Sequence, residues 1–264
     1  MSNIALRVLQ ISDPHLLENT TDTLLGLNTQ KSFEMTLQHA LEHYAPVDFL
    51  LMTGDLAQDG KTAGYQRLAQ SLTQQQLTMY CLPGNHDDPA LMKTLLNQQD
   101  IHYVPYFEHN GWHFEMLNTN VPNSEKGHFK QDELTQMAQR LSQSTLPTAI
   151  CMHHPPIPIG SEWLDTMAID NGDMLYDILK TQPQVKVLLC GHVHQALQLT
   201  HKNLPLLSVP STCIQFKPAS KPFALDNIPP GYRFLTFFED GTFTAKIDRI
   251  ADMPSGINFN SKGY

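Results

Sequence analysis

Short apolar runs alternate with amphipathic stretches along most of the chain. Residues 5–11 and 47–53 are largely apolar, and their length and bulky side chains predict strands. Between them Phe33, Leu37 and Leu41 recur at helical spacing over residues 30–44, so this region reads as a β-α-β unit. The alternation repeats. A helix over 62–75 leads into a strand over 77–82 that stops at Pro83-Gly84, and a helix follows over 90–96. Further strands are predicted over 112–117, 149–152 and 185–190, with helices over 130–143 and 172–180. After residue 195 the texture changes to β segments at 204–209, 214–216, 232–238 and 242–247, the last two joined around Asp240-Gly241. The pattern predicts a layered α/β protein whose last quarter supplies a second set of strands. Residues 217–230 form the one long irregular segment, which reads as the rim of a site.

Composition narrows the class. The 264 residues are 41% hydrophobic, 16% charged and 8% aromatic, a globular balance that excludes a disordered chain. Length alone allows one large domain or two small ones, and no repeat or linker divides the chain. With 17 Lys and Arg against 26 Asp and Glu, the net charge is −9. That argues against a long nucleic acid held on a basic surface, but not against a small phosphorylated molecule. The longest apolar runs, 49–52 and 187–190, fall far short of the roughly 20 residues of a membrane span. The first eleven residues lack the apolar stretch of a signal peptide, so the expectation is a cytoplasmic protein with no membrane partner. Cys81, Cys151, Cys190 and Cys213 are scattered inside apolar segments and read as reduced core thiols.

The chemistry lies where the apolar runs end. Five times such a run stops in potential metal ligands: Ser12-Asp13-Pro14-His15, Gly54-Asp55, Gly84-Asn85-His86-Asp87, His153-His154 and Gly191-His192-Val193-His194. Each follows the carboxyl end of a predicted strand, the edge at which open α/β sheets bind ligands. Two Asp, one Asn and four or five His give a nitrogen and oxygen donor set without thiolates. It is enough for two metal ions sharing a carboxylate, and it suits Mn, Fe, Co or Zn better than Mg or Ca. Paired metals about 3.5–4 Å apart recur in phosphate ester cleavage because both share the developing charge. Gly54, Gly84 and Gly191 precede ligand residues, where a turn off a strand needs positive φ or close approach.

These five motifs, in this order and at this approximate spacing, resemble the signature of the calcineurin-like metallophosphoesterases. Gly54-Asp55-Leu56-Ala57-Gln58-Asp59, the segment from Leu188 to Gln195, Pro210-Ser211-Thr212-Cys213 and Gln215-Phe216-Lys217-Pro218 further resemble the bacterial class III 3′,5′-cyclic AMP phosphodiesterases of that superfamily. The resemblance runs from residue 8 to the end of the chain. It implies one metallophosphoesterase domain over 1–264, a layered β-sandwich flanked by helices (αββα), with residues 196–264 adding strands and a substrate-side rim. It implies one metal held by Asp13, His15, Asp55 and His194, and a second held by Asp55, Asn85, His153 and His192, with Asp55 bridging. Iron or manganese is the expected metal, with zinc or cobalt as alternatives. His86 is implied as the catalytic residue that contacts the phosphate and protonates the leaving oxygen; imidazole is the side chain whose charge changes nearest neutral pH. His15, Asn85, His86 and His194 would also contact substrate.

The implied activity is hydrolysis of 3′,5′-cyclic AMP to 5′-AMP, lowering cellular cyclic AMP. Other small phosphodiesters, such as 2′,3′-cyclic nucleotides or glycerophosphodiesters, are the alternative, and a non-catalytic scaffold is a third reading. Two divalent ions add about +4 to a pocket in which the ligand carboxylates are Asp13 and Asp55, so an acidic protein can still attract an anion there. Asp87 reads either as orienting His86 or as a turn cap. Phe216 reads either as a ring stacking on the base or as a core residue, and Lys217 as a cation approaching a phosphate. His154 stays outside the site, and His39, His43, His102, His109, His113, His128 and His201 match no motif and read as surface or interface residues. Sequence leaves the oligomeric state open.

Overall fold

The computed structural model describes residues 2–263. In chain order the elements are β1 (Ile4–Ile11), β2 (Thr23–Leu24), β3 (Leu27–Asn28), α1 (Thr29–Tyr44), β4 (Phe49–Met52), α2 (Thr62–Gln74), β5 (Met79–Cys81), α3 (Pro89–Leu95), β6 (Ile101–His102), β7 (Tyr106–His109), β8 (Trp112–Met116) and α4 (Gln131–Gln143). They continue with β9 (Thr148–Cys151), α5 (Glu162–Asp165), α6 (Gly172–Leu179), β10 (Val185–Cys190), β11 (Gln198–His201), β12 (Leu204–Ser208), β13 (Gln215–Phe216), β14 (Leu225–Asp226), β15 (Gly231–Phe238) and β16 (Phe243–Arg249).

Two six-stranded sheets run in the orders β16-β15-β1-β4-β5-β6 and β11-β12-β10-β9-β8-β7. In the first, β1, β4, β5 and β6 are parallel, and β15 and β16 are added antiparallel beyond β1. In the second, β8, β9, β10 and β12 are parallel, with β7 and β11 antiparallel at the two edges.

Strand side chains alternate between faces, and both faces are covered here, which explains why the sequence presents continuous apolar runs. In β4, Leu50 and Met52 pack with Phe33 and Leu37 of α1 and Leu68 and Leu72 of α2. Phe49 and Leu51 of the same strand point the other way, into the space between the sheets, with Phe114, Val187 and Phe237. β10 repeats the device: Val187 and Leu189 face the inter-sheet core, while Leu188 and Cys190 pack with Met137 and Leu141 of α4 and Leu175 and Tyr176 of α6. Each such side chain contributes on the order of 1.5–3 kcal/mol when fully buried. The layers are therefore helix, sheet, sheet, helix, the expected fold class. All four cysteines are buried free thiols.

The longer strands of the last quarter join the two main sheets, and only the short β13 and β14 pair apart from them. β11 and β12 complete the second sheet, whereas β15 inserts beside β1 of the first. Sequence periodicity predicts a strand but not the strand it pairs with. The short elements β2, β3, β6, β7, β11, β14 and α5 were not predicted; most are two to four residues long, and too few positions carry a period. Segment 217–230 is partly ordered by pairing, since β14 forms a small ribbon with β13. Among the described residues no helix is long and apolar enough to cross a membrane.

Candidate active site

The segments that bear the candidate site residues leave the carboxyl ends of parallel strands in both sheets: Asp13 and His15 after β1, Asp55 after β4, Asn85 and His86 after β5, His153 after β9, and His192 and His194 after β10. The fold brings all eight together. His15 Nε2 lies 3.7 Å from Asp55 Oδ2 and 3.2 Å from His194 Nε2, and His194 Nε2 lies 3.4 Å from Asp13 Oδ1. On the other side, His153 Nε2 is 3.2 Å from Asp55 Oδ2 and 3.1 Å from Asn85 Oδ1, an oxygen that His192 Nδ1 also approaches at 3.1 Å. Asp55 thus stands between a group with Asp13, His15 and His194 and a group with Asn85, His153 and His192.

The far nitrogens of three imidazoles reveal what the near ones offer. His15 Nδ1 faces Gln58 Oε1 at 2.6 Å, His194 Nδ1 faces the Ile214 carbonyl at 2.8 Å, and His153 Nδ1 faces the Thr53 carbonyl at 2.8 Å. A carbonyl oxygen only accepts, so each Nδ1 carries the proton and donates it. In the neutral rings each Nε2 then presents a lone pair toward the site, so that lone pairs meet carboxylate and amide oxygens and one another. A cation satisfies such a convergence, and donation of the second ring N–H to a carbonyl is the usual support of a metal-bound histidine. The donor set therefore fits a metal centre, and the groups Asp13, His15, His194 and Asp13, Asp55, His153 each keep their donor atoms within 4.8 Å of one another.

Electrostatics agree with this arrangement. Burial pushes His15 down to about 3, keeping it neutral as a ligand must be. Burial likewise drives His192 well below its ordinary value. For His153 burial also pulls downward, but the charges of Asp55 and Asp13 outweigh it and hold the ring up at about 9. Burial pushes Asp55 upward, yet His153, His86 and His15 hold it well below the usual carboxylate range. A proton on His153 is thus a counter-charge to Asp55 that a cation held by the same donors would replace.

Asp13, His15, Asp55, His192 and His194 all have left-handed backbone, with φ between 47° and 65°. Of the three glycines, only Gly54 has positive φ, at 101°. Gly84 and Gly191 serve close approach instead: a methyl on Gly84 would land on the Asp55 carboxylate, and one on Gly191 on Ser12 Oγ. Asp87 is a cap. Its carboxylate accepts from Gly84 N, Leu56 N, Ala57 N and Tyr65 Oη at 2.9–3.1 Å, tying the β5 loop to the β4 loop. His86 Nδ1 instead donates to the Gln58 carbonyl at 2.8 Å, and its backbone N–H donates to Asp55 Oδ1 at 2.9 Å.

Several supporting residues were not singled out by the sequence. Gln58 holds His15 with its side chain and His86 with its backbone. Ser211 Oγ donates to the Asp13 carbonyl at 2.8 Å, giving the Pro210–Cys213 motif a task. Asn120 Nδ2 donates to the Gly84 and Asp87 carbonyls. His154 accepts from Thr119 Oγ1 at Nδ1 and donates to the Glu125 carbonyl at Nε2, with its ring 4.5 Å from that of His192. It joins His153 and His192 in a third donor group, but both its nitrogens are engaged by protein. A hydroxyl and a carbonyl leave no sequence signal, because almost any loop supplies them.

Three other expectations are resolved. Phe216 is a core residue, 2% exposed and stacked on His194 with centroids 4.2 Å apart. Lys217 is exposed and does not line the cavity beside the site. His113 is not a surface residue: it is 2% exposed and bonded to the fully buried Glu115 at 2.8 Å, an anion that also takes a two-pronged contact from Arg140. The cavity has a volume of about 290 Å³ and opens from Asn85, His86 and His192 toward Trp163, Met167 and Phe223.

Comparison with known proteins matches this geometry. The chain is 37% identical over 264 residues to the 3′,5′-cyclic adenosine monophosphate phosphodiesterase CpdA of Escherichia coli, covering 98% of this chain and 95% of that one. It is 34% identical over 266 residues to the Vibrio vulnificus protein of the same name, covering 100% and 97%. It is 36% identical over 248 residues to a Nostoc 3′,5′-cyclic-nucleotide phosphodiesterase, covering 94% and 93%. Among solved structures, a dimetal phosphatase from Danio rerio shares the fold with a TM-score of 0.62 at 14% identity, covering 92% of this chain and 99% of that one. The family model described as calcineurin-like phosphoesterase matches residues 6–196. With that match spanning most of the chain and the full-length identities above it, the protein belongs to the calcineurin-like phosphoesterase family.

Proposed function

We propose that the protein hydrolyses 3′,5′-cyclic AMP to 5′-AMP. One observation carries the reading: identity of 34–37% over nearly the whole chain to relatives named for cyclic nucleotide hydrolysis. The converging imidazole lone pairs support the reaction type. In this reading Asp13, His15, Asp55 and His194 hold one divalent ion and Asp55, Asn85, His153 and His192 a second, with Asp55 shared. Iron or manganese is the metal, zinc or cobalt the alternative. Two such ions supply charge to the phosphoryl oxygens and activate water.

The rest falls to the chain. His15, Asn85, His86 and His194 surround the phosphate. His86, oriented by donation of its Nδ1 proton to Gln58, turns Nε2 to the ester and gives its proton to O3′ as the P–O3′ bond breaks. Water adds to phosphorus, and the phosphate stays on O5′. The whole chain, 1–264, acts as one cytoplasmic catalytic domain, and segment 196–264 contributes strands and part of the substrate rim; the pairing of β15 with β1 and the place of Phe223 on the cavity support this.

A parallel assay of 3′,5′-cyclic AMP, 3′,5′-cyclic GMP, 2′,3′-cyclic AMP and bis(p-nitrophenyl) phosphate, with manganese or iron present, tests the reading. Preferred turnover of 3′,5′-cyclic AMP is expected, and its absence rejects the proposal. His86→Ala should lower turnover about 10²–10⁴-fold with metal content unchanged. Full activity in a metal-replete His86→Ala protein removes the assigned role.

A further inference from the structure

We propose that Trp163, Met167 and Phe223 form the wall that holds the nucleobase of the substrate; the proposal rests on the cyclic nucleotide reading above. The phosphate end of the cavity is polar, lined by Asn85, His86 and His192. Most of the remaining lining is apolar, from Trp163, Leu164, Met167, Phe216 and Phe223, with Glu125 and Thr166 as its polar members. A nucleotide has the same division, an anionic phosphate at one end and a flat π-surface at the other, and a cavity of about 290 Å³ is on that scale.

Within the apolar end the rings have different tasks. Phe216 already has one face on His194, with planes 10° apart, and is packed among Val193, Ile214 and Leu225 in a small core of its own. Trp163 and Phe223 each meet the Phe216 ring edge-on, at centroid distances of 4.9 and 5.7 Å, and meet each other at 5.0 Å. Both are half-buried where Phe216 is covered. Phe216 is thus the fixed support, stacked on His194, and the two half-buried rings braced against it also line the cavity. Stacking on such rings tolerates different bases, because every base has a π-face. Hydrolysis of the phosphodiester is set by the polar end, and affinity for the nucleoside by this wall.

The experiment uses the full-length, manganese-loaded enzyme. Trp163→Leu and Phe223→Leu keep an apolar side chain and remove the π-face, while Trp163→Phe keeps one. The rate constant kcat/KM for 3′,5′-cyclic AMP should fall about ten- to hundredfold in the leucine variants, the range for loss of an aromatic partner from a stacked base. The inhibition constant of 5′-AMP should rise by the same factor, that of inorganic phosphate should stay unchanged, and Trp163→Phe should recover most of the loss. Leucine variants that keep wild-type kcat/KM and 5′-AMP inhibition overturn the wall, as does an equal loss of phosphate and 5′-AMP inhibition, which marks damage to the site itself. A wild-type enzyme that leaves cyclic AMP intact overturns the parent reading alone, provided 5′-AMP binding still depends on Trp163.

Discussion

Replacing Gln58 with leucine isolates the support of one ligand from the chemistry of the site. Gln58 Oε1 accepts the Nδ1 proton of His15 at 2.6 Å, and His15 is completely buried. Leucine fills similar space and accepts nothing. The proton then has two places. Kept on Nδ1, it loses its acceptor in a dry environment, at about 1–3 kcal/mol. Moved to Nε2, it points at His194 Nε2, 3.2 Å away, and removes the lone pair that a cation needs. Either route weakens metal binding, by the 10–100-fold typical for loss of an outer partner, or about 1.4–2.8 kcal/mol. The Gln58 backbone carbonyl still accepts from His86, so turnover at saturating metal should stay within a few-fold of wild type. Competition for manganese against a chromophoric chelator measures the affinity, with elemental analysis as a second readout. Gln58→Glu, which keeps an acceptor, should restore it. Wild-type affinity in Gln58→Leu, or a loss that Gln58→Glu fails to recover, refutes the reasoning.

Two further changes probe other parts of the molecule. Asp55→Ala removes the carboxylate that lies between the two donor groups, so metal content should fall from two ions per chain toward none; a protein still holding two contradicts a bridging role. Arg140→Ala leaves the fully buried Glu115 with His113 as its one remaining side-chain partner among the described residues, so the broken buried pair should cost about 3 kcal/mol by urea unfolding. None of these three side chains bonds to a candidate site residue among the described residues, so kcat/KM of the folded protein should not change.

The side chains that the fold gathers at the strand ends were legible in the sequence, for a physical reason. A ligand must carry a particular side chain, and the strand that delivers it must be apolar, so Asp13, Asp55, His153 and His192 stand out at the ends of runs that the inter-sheet and outer cores require. The groups that hold them are different. Gln58 acts on His86 through a carbonyl, Thr53 does the same for His153, and Ile214 for His194. Any residue supplies a carbonyl, so only the fold tells which one is in place. The same limit applies to Trp163, which sits on the four-residue helix α5, too short to carry a period. The burial of His113 was not legible because Glu115, the anion it bonds two residues along the same strand, is itself held by Arg140 25 positions away, a match that only the fold makes.

The glycines show where legibility stopped short of the mechanism of folding. They suggested that the chain needs unusual backbone beside each candidate ligand, and the left-handed conformation is borne by five of those candidates themselves, Asp13, His15, Asp55, His192 and His194. Asp and His enter that region more readily than most residues, but a side chain there still costs on the order of 1–2 kcal/mol that glycine would not. Glycine at those positions would carry no donor atom, so the strain is the condition for turning the chain sharply while keeping a ligand at the turn. Backbone hydrogen bonds between the loops offset it: Asp13 N donates to Gly54 O and His15 N to Asp55 O, both at 3.0 Å, and Gly191 N donates to His153 O at 3.0 Å. The neighbouring glycines then leave room for the Asp55 carboxylate and the His153 ring to pass. Strain at Asp13, His15 and Asp55 is thus offset by bonds to another strand end, which keeps these side chains at the turns. The donor atoms converge because the two sheets bring these loops together at the carboxyl ends of their parallel strands.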